Sequence, residues 1–435
     1  MGETFWLLPA AMVALAIVLA LGLVSLDKSG LVPDWMVNSP WLYSGGATGA
    51  RTLLGAVAGS TIGVAGTVFS ITIAALSLAA GQMGPRLLRN FTRDRGNQFT
   101  LGAFLGTFSY ALMVLRSVRT QDEGAFTPHV SLSVAILLAF LCVGTLVFFV
   151  GHMAGRISVE TVIDLVSRDM RATMRKLTSA GTHDPAPPQA FWCGGVAVLS
   201  DQFGYLQELD SEGLADWAAE HGTALRLLLR VGSYVYPGAT VAIATKHVDG
   251  AQAAVRNATA LGPVQTASAD PEFTVGQLVE VAVRALSPGI NDPNTAKAVL
   301  DRLGAELCEL APKRLPTGVF MRDGRVALVV PAVDYGVLTG TMFGMIRQNA
   351  GGSAAVLGHL LDVLTAVAGC ERDPSRAADL RRHACLALAD AERSVENADD
   401  LADIRRSFTM FEVMRQDGAL AAFHASQSNE RTQAR

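Results

Sequence analysis

Between Arg284 and Thr295 the chain gathers Arg284, Ser287, Asn291, Asp292, Asn294 and Thr295 around a Ser-Pro-Gly break. A helix beginning just after such a break exposes unpaired amides, and with Asx and hydroxyl side chains beside them it can hold a small ligand or an ion. Arg284, one turn before the bend, would add an anion contact. Asp292 opposes an anion immediately at the cap, so a cation or a sugar hydroxyl is the easier guest. The same residues have a purely structural reading: glycine and two prolines fix a bend while Asn291 and Asp292 cap orphan amides. Both readings stay open on the sequence.

A second constellation is a stripe. Ser60, Gly63, Thr67, Ser70, Ala74 and Ser77 recur every three or four residues and therefore share one helix face. Such a face either packs tightly, with hydroxyls bonded to the carbonyl one turn back, or lines a narrow aqueous path when several copies form a ring. Gly55, Gly59 and Gly63 form a double GxxxG and Gly102 and Gly106 another, both patterns that let helix backbones approach closely. Arg86, Arg89, Arg93 and Arg95 crowd the loop from 82 to 98, where they either anchor anionic headgroups or offer an anion contact at a pore mouth.

Motifs for catalysis are missing. There is no HExxH, GxSxG, P-loop or dinucleotide-binding glycine set, and no metal-ligand cluster or cofactor attachment site is expected. His247 with Asp249, and His359 with Asp362, read as surface or packing residues. Five widely spread cysteines, Cys142, Cys193, Cys308, Cys370 and Cys385, include no CxxC and read as core packing residues. An enzyme is not expected.

The elements that must carry these residues begin with four stretches, 4–26, 52–85, 96–115 and 130–151, that contain no Asp, Glu, Lys, Arg or His. Lipid offers no partner to a charge, and about 20 apolar residues suffice for a helical crossing, so each can span a bilayer. The spans hold no ionisable group to carry a coupling charge, which disfavours a proton-driven transporter. Span two, 34 uncharged residues between Arg51 and Arg86, is too long for the ~30 Å hydrocarbon core and must tilt, kink or project. Span one has no basic n-region and too long an apolar run for a cleaved signal peptide. The arginine-rich loop between spans two and three predicts a bacterial inner (cytoplasmic) membrane protein with both termini cytoplasmic. The two arginines of the loop at 116–129 run against that rule.

After residue 155 the charge density rises, and the remainder is mildly acidic. A nucleic-acid partner, which needs a clustered positive field, is not expected. Residues 156–190 read as an amphipathic helix and a Pro-rich linker, 191–265 as a small β-rich subdomain and 266–425 as a mainly helical α+β subdomain. Residues 426–435 read as a disordered tail. The strand, glycine turn, strand rhythm from Arg230 to Ala242 suggests a small β-barrel-like portion. Thr274 and Gln277 read as a capping box, Asp292-Pro293 and Asp373-Pro374 as helix starts, and Asp323-Gly324 as a hairpin turn. The expected fold is thus an α-helical membrane domain of four transmembrane helices followed by a cytoplasmic α+β domain with a helical C-terminal part.

Three strings together resemble a known pattern: Arg-Ala-Leu-Ser-Pro-Gly-Ile-Asn-Asp-Pro-Asn-Thr-Ala at 284–296, Gly-Ser-Thr-Ile-Gly-Val-Ala-Gly-Thr-Val-Phe-Ser at 59–70, and Gly-Tyr-Leu-Gln at 204–207. With the multi-span start, they make the chain similar to a bacterial family of predicted membrane proteins, domain of unknown function 2254. The resemblance covers nearly the whole chain. It implies a topology and supplies no activity, cofactor or catalytic residue. The residues themselves favour a homo-oligomeric channel or channel-like passage in the lipid bilayer, with span two lining the path and the cytoplasmic domain as vestibule or gate. The alternative is a membrane-anchored sensor or scaffold whose cytoplasmic domain binds a ligand, as yet unknown, or a partner.

Overall fold

A computed structural model describes residues 6–29, 45–83, 95–119, 126–156, 159–180, 183–265 and 271–433. The chain forms two compact units, Met1–Thr161 and Val162–Arg435.

The first unit is built from four helices, α1 (Leu7–Ser29), α2 (Ala47–Met83), α3 (Arg95–Leu115) and α4 (His129–Arg156). All four are long and apolar enough to cross a membrane. Apolar residues cannot drive helix association where the solvent is itself apolar, so small residues and shape decide the arrangement. Helix α3 takes the centre: 56% of its apolar window is buried, against 17–22% in the other three. Its Gly102 and Gly106 lie against Pro9, Met12 and Ala16 of α1. Helix α2 turns Ala50, Leu54, Ala58, Thr61, Ala65 and Val68 inward. At ~1.5 Å per residue its 37 residues reach ~55 Å, nearly twice the ~30 Å hydrocarbon core.

Helix α5 (Val159–Ala180) opens the second unit with one apolar face, from which Val162, Ile163, Val166, Met170 and Met174 are all buried. A short 3-10 turn (Gln189–Trp192) leads into the β-rich part: β1 (Val196–Leu199), β2 (Gly204–Leu209), α6 (Ser211–Glu220), β3 (Leu225–Leu227), β4 (Tyr234–Val235), β5 (Thr240–Ala244), α7 (Ala251–Ala258) and β6 (Thr259–Gly262). The helical part follows, with α8 (Pro271–Ala285), α9 (Pro293–Leu310), the hairpin β7 (Val319–Arg322) and β8 (Arg325–Val329), then α10 (Tyr335–Asn349), α11 (Ala354–Cys370), α12 (Pro374–Ser394) and α13 (Ala398–Gln433). Gly418, at φ 82°, interrupts α13.

The expectation of a barrel-like portion is corrected. The strands form two open sheets, one of order β1-β5-β3-β8-β7 and one of order β4-β2-β6, and among the described residues neither closes. The reason lies in the pairing: β3 recruits β8 in parallel from about a hundred residues downstream, while β2 joins β4 and β6 in the separate sheet. Leu206 and Val235 from one sheet and Leu225, Leu227 and Val241 from the other share a single core with Leu214 of α6 and Val255 of α7.

Two local expectations also fail. Thr274 and Gln277 are buried inside α8, which already runs from Pro271, and the Thr274 hydroxyl donates to the Pro271 carbonyl (2.9 Å), so they do not form an N-terminal capping box. Of the five cysteines only Cys142 is buried; Cys193 follows a surface turn and Cys370 ends α11, both exposed, so they do not pack the core.

Candidate functional site

The stripe of α2 faces away from the other described helices of the first unit. Ser60, Gly63, Thr67, Ser70, Ala74 and Ser77 are all exposed, as are Gly55 and Gly59, while the opposite face packs on α3 and α4. A Cβ built on Gly55, Gly59 or Gly63 meets no atom within 4 Å. The hydroxyls are bonded within the helix: Ser60 donates to Val57 O (3.1 Å), Thr67 to Gly63 O (3.1 Å) and Ser70 to Gly66 O (2.9 Å). Each hydroxyl oxygen keeps an acceptor position on an otherwise apolar surface. The glycines of α3 behave differently, since a Cβ on Gly102 would fall 3.2 Å from Pro9 Cα. Of the loop arginines, Arg86, Arg89 and Arg93 lie outside the described residues, and Arg95 opens α3 with an exposed side chain.

At 284–295 the structure brings the named residues together, chiefly on one another. Asp292 caps α9: its Oδ1 accepts from Asn294 N (3.1 Å) and Thr295 N (3.2 Å), and its Oδ2 from the Thr295 hydroxyl (2.6 Å). The backbone amide of Asp292 donates to Ala285 O (2.7 Å), which closes the end of α8, and Ser287 Oγ donates to Arg284 O (2.6 Å). Arg284 reaches back to Glu280 at 3.5 Å. Asn291 takes φ 49°, a left-handed conformation that Asn tolerates better than most residues. The Thr295 hydrogen bond, with the two amides, holds the Asp292 carboxyl below its ordinary range against a smaller cost of burial. Both of its oxygens thus accept hydrogen bonds in the cap.

A further cluster was not legible in the sequence. Arg171 of α5 lies 3.7 Å from Glu306 and 3.4 Å from Glu309 of α9, and Arg175 is 3.9 Å from Glu309. Glu306 is 3% exposed, and neither its Oε2 nor Arg171 Nε makes a hydrogen bond. Burial pushes the Glu306 carboxyl up, Glu309 adds to this, and Arg171 opposes it. The available signal was spacing: Arg171 and Arg175 flank the apolar face of one helix, and Glu306 and Glu309 that of another. Arg230 similarly grips Glu272 with both terminal guanidinium nitrogens and ties the β-rich part to the first turn of α8. His247 stays with Asp249 at the surface (3.3 Å), whereas His359 pairs with Asp301 (2.7 Å). No group of three or more His, Cys, Asp or Glu that could hold a metal occurs among the described residues.

The uncharacterized proteins MT1328 and Rv1290c of Mycobacterium tuberculosis and Mb1321c of Mycobacterium bovis are each 31% identical to this chain, over 96% of it and 82% of their own lengths. No solved structure matches. The family described as predicted membrane protein (DUF2254) matches residues 2–366, which take in the four apolar helices, the stripe and the 284–295 turn. The chain therefore belongs to the DUF2254 family of predicted membrane proteins.

Proposed function

We propose that the protein is a homo-oligomeric, channel-like passage in the bacterial inner membrane. Helix α2 lines the path, and the second unit lies in the cytoplasm as vestibule or gate. The observation that carries this reading is the outward stripe of α2: glycines, hydroxyls and small side chains exposed on the subunit while its other face is packed. Lipid gains little from such a face, whereas a ring of copies would pack the glycines and turn the hydroxyl oxygens to water. Residues 52–85 contain no ionisable side chain, which favours passive conduction over proton coupling.

Cysteine accessibility tests the reading. Cysteines placed singly at Thr67, Ser70, Ala74 and Ser77, on a background lacking the five native cysteines, are treated in membranes with a small charged thiol reagent. Labelling at all four positions is the expected result, and uniform protection would make the face dry packing between helices. The rival reading, a membrane-anchored sensor, rests on the 284–295 turn, where Asp292 and Thr295 are engaged in capping and the Asn291 and Asn294 side chains are exposed.

A further inference from the structure

Contacts between α9 and α11 advance in the same direction along both chains. Asp301 Oδ1 lies 2.7 Å from His359 Nε2, and a Cβ built on Gly304 would collide with Val363 Cγ1 and lie 3.9 Å from Val367 Cγ2. The bare backbone of Gly304 therefore lets the two helices approach closely at this crossing. Four residues along α9 from Gly304 comes Cys308, and three along α11 from Val367 comes Cys370, each on the face that carries the contact before it. The crossing thus sets two thiols against each other, and Cys370 acts on the Cys308 thiol side chain to side chain.

Their surroundings differ. Cys308 is half-buried, whereas Cys370, the last residue of α11, is exposed and fills no core. An incoming reagent meets Cys370 first. Helix ends fray, so Cys370 can swing into disulfide geometry without disturbing the crossing at Gly304. Burial, more than its neighbour, pushes the Cys308 thiol up to about 12. Easily reduced couples have a stabilised thiolate, and Cys308 has none, which favours the disulfide once it has formed.

We propose that Cys308 and Cys370 form a dithiol site that a small disulfide such as oxidised glutathione converts into a crosslink between α9 and α11. The Cys370 thiolate attacks one sulfur of the small disulfide, and the other sulfur leaves and takes up a proton. Cys308 then gives its proton to solvent and attacks the Cys370 sulfur, which forms the protein disulfide and releases the second small thiol. Two protein thiols are oxidised, and one small disulfide is reduced to two thiols. The bond closes a loop of about sixty residues and restricts the unfolded chain, so oxidation stabilises the second unit. The site is separate from the α2 stripe, and its test involves no flux.

The full-length protein in lipid nanodiscs is reduced, freed of reductant and incubated with oxidised glutathione. Samples quenched in acid and alkylated are digested and read by mass spectrometry. The expected product is a crosslink within one chain that joins residues 308 and 370 and is reversed by dithiothreitol. In Cys308→Ser, Cys370 should instead retain bound glutathione, and in Cys370→Ser, Cys308 should stay a free thiol. Cys193, also exposed, reports how a surface thiol reacts under the same conditions. Thermal unfolding of the oxidised parent should shift upward, and neither serine variant should show that shift. An unmodified Cys370, or glutathione left on Cys370 of the parent with Cys308 free, overturns the proposal. A crosslink that joins other cysteines or links two copies of the chain overturns it equally.

Discussion

Asp27, in the last turn of α1, holds the first turn of α4. Its Oδ1 accepts from Val130 N (3.1 Å), and its Oδ2 accepts from both the amide (3.0 Å) and the hydroxyl (2.6 Å) of Ser131. A carboxylate is poorly placed at the C-terminal end of its own helix, where carbonyls are unpaired, and well placed at the N-terminal end of another. The exchange gives the contact between these two helices three hydrogen bonds. Asp27→Ala leaves three donors without an acceptor and should lower stability by about 1–3 kcal/mol. Asp27→Asn keeps an acceptor but not the charge and should fall between. Thermal unfolding in nanodiscs checks the order, and an alanine variant as stable as the parent would show that the contact does not hold the helices together.

The glycines of α3 and those of α2 should respond to the same substitution in opposite ways. A methyl group on Gly102 meets Met12 Sδ at 2.5 Å and Pro9 Cα at 3.2 Å, and only the methionine can move aside. Gly102→Ala should therefore loosen the α1–α3 crossing and cost about 1–3 kcal/mol. Gly59→Ala meets nothing in its own subunit, so the isolated chain should keep its stability. If copies pack through α2, Gly59→Ala should instead weaken the oligomer. Native mass spectrometry beside thermal unfolding separates the two effects. A Gly59→Ala chain that unfolds early while keeping its oligomer would contradict the assignment of that face.

Arg171 and Glu306 give the second unit a pH dependence whose sign follows from burial. The folded chain holds the Glu306 proton more tightly than the unfolded chain does. Stability from this group is therefore fully present below the ordinary value of 4.5 and is lost as pH rises through the higher native value. Glu306→Gln should flatten that slope and raise stability at neutral pH by about 1 kcal/mol. Arg171→Met keeps the packing of the stem but leaves Glu306 and Glu309 facing each other. It should cost about 1–3 kcal/mol at neutral pH, discounted for the partial exposure of Arg171, and recover as the solution is acidified. Chemical denaturation across a pH series reads both variants; a steeper rise of stability with pH in Arg171→Met would reverse the sign and refute the account.

What was legible in the sequence is what short-range physics determines. The four apolar helices follow from the absence of charge. Asp292-Pro293 and Asp373-Pro374 open α9 and α12, because a cap acts on amides two and three residues away. Asp323 and Gly324, both at positive φ, make the expected hairpin turn. The barrel-like expectation failed because local rhythm identifies a strand but not its partner, and Arg226 pairs with Val329, about a hundred residues away. Thr274 and Gln277 carry the capping pattern, yet their side chains face the helical core, so packing overrides the local signal. The contact of Arg171 with Glu306 joins helices 135 residues apart, beyond what any window shows. In the candidate sites, the stripe was visible as a period, but which way it faced depended on α3.

Asp292 allows the 284–295 turn to be tested without knowing a ligand. Its carboxylate accepts two amides and one hydroxyl at the start of α9, so Asp292→Ala should cost about 1–2 kcal/mol, and Thr295→Val should reproduce part of that loss. Thr295, the largest influence, and the two amides hold the folded carboxyl below its ordinary value of 3.8. The stabilisation is therefore present above 3.8 and disappears as pH falls through the lowered native value. At neutral pH the alanine variant should be less stable than the parent, and in acid the two should converge. The double variant should lose little more than Asp292→Ala alone, because both changes remove the same bond. Additive losses, or a difference that survives in acid, would mean that Asp292 acts through something other than this cap.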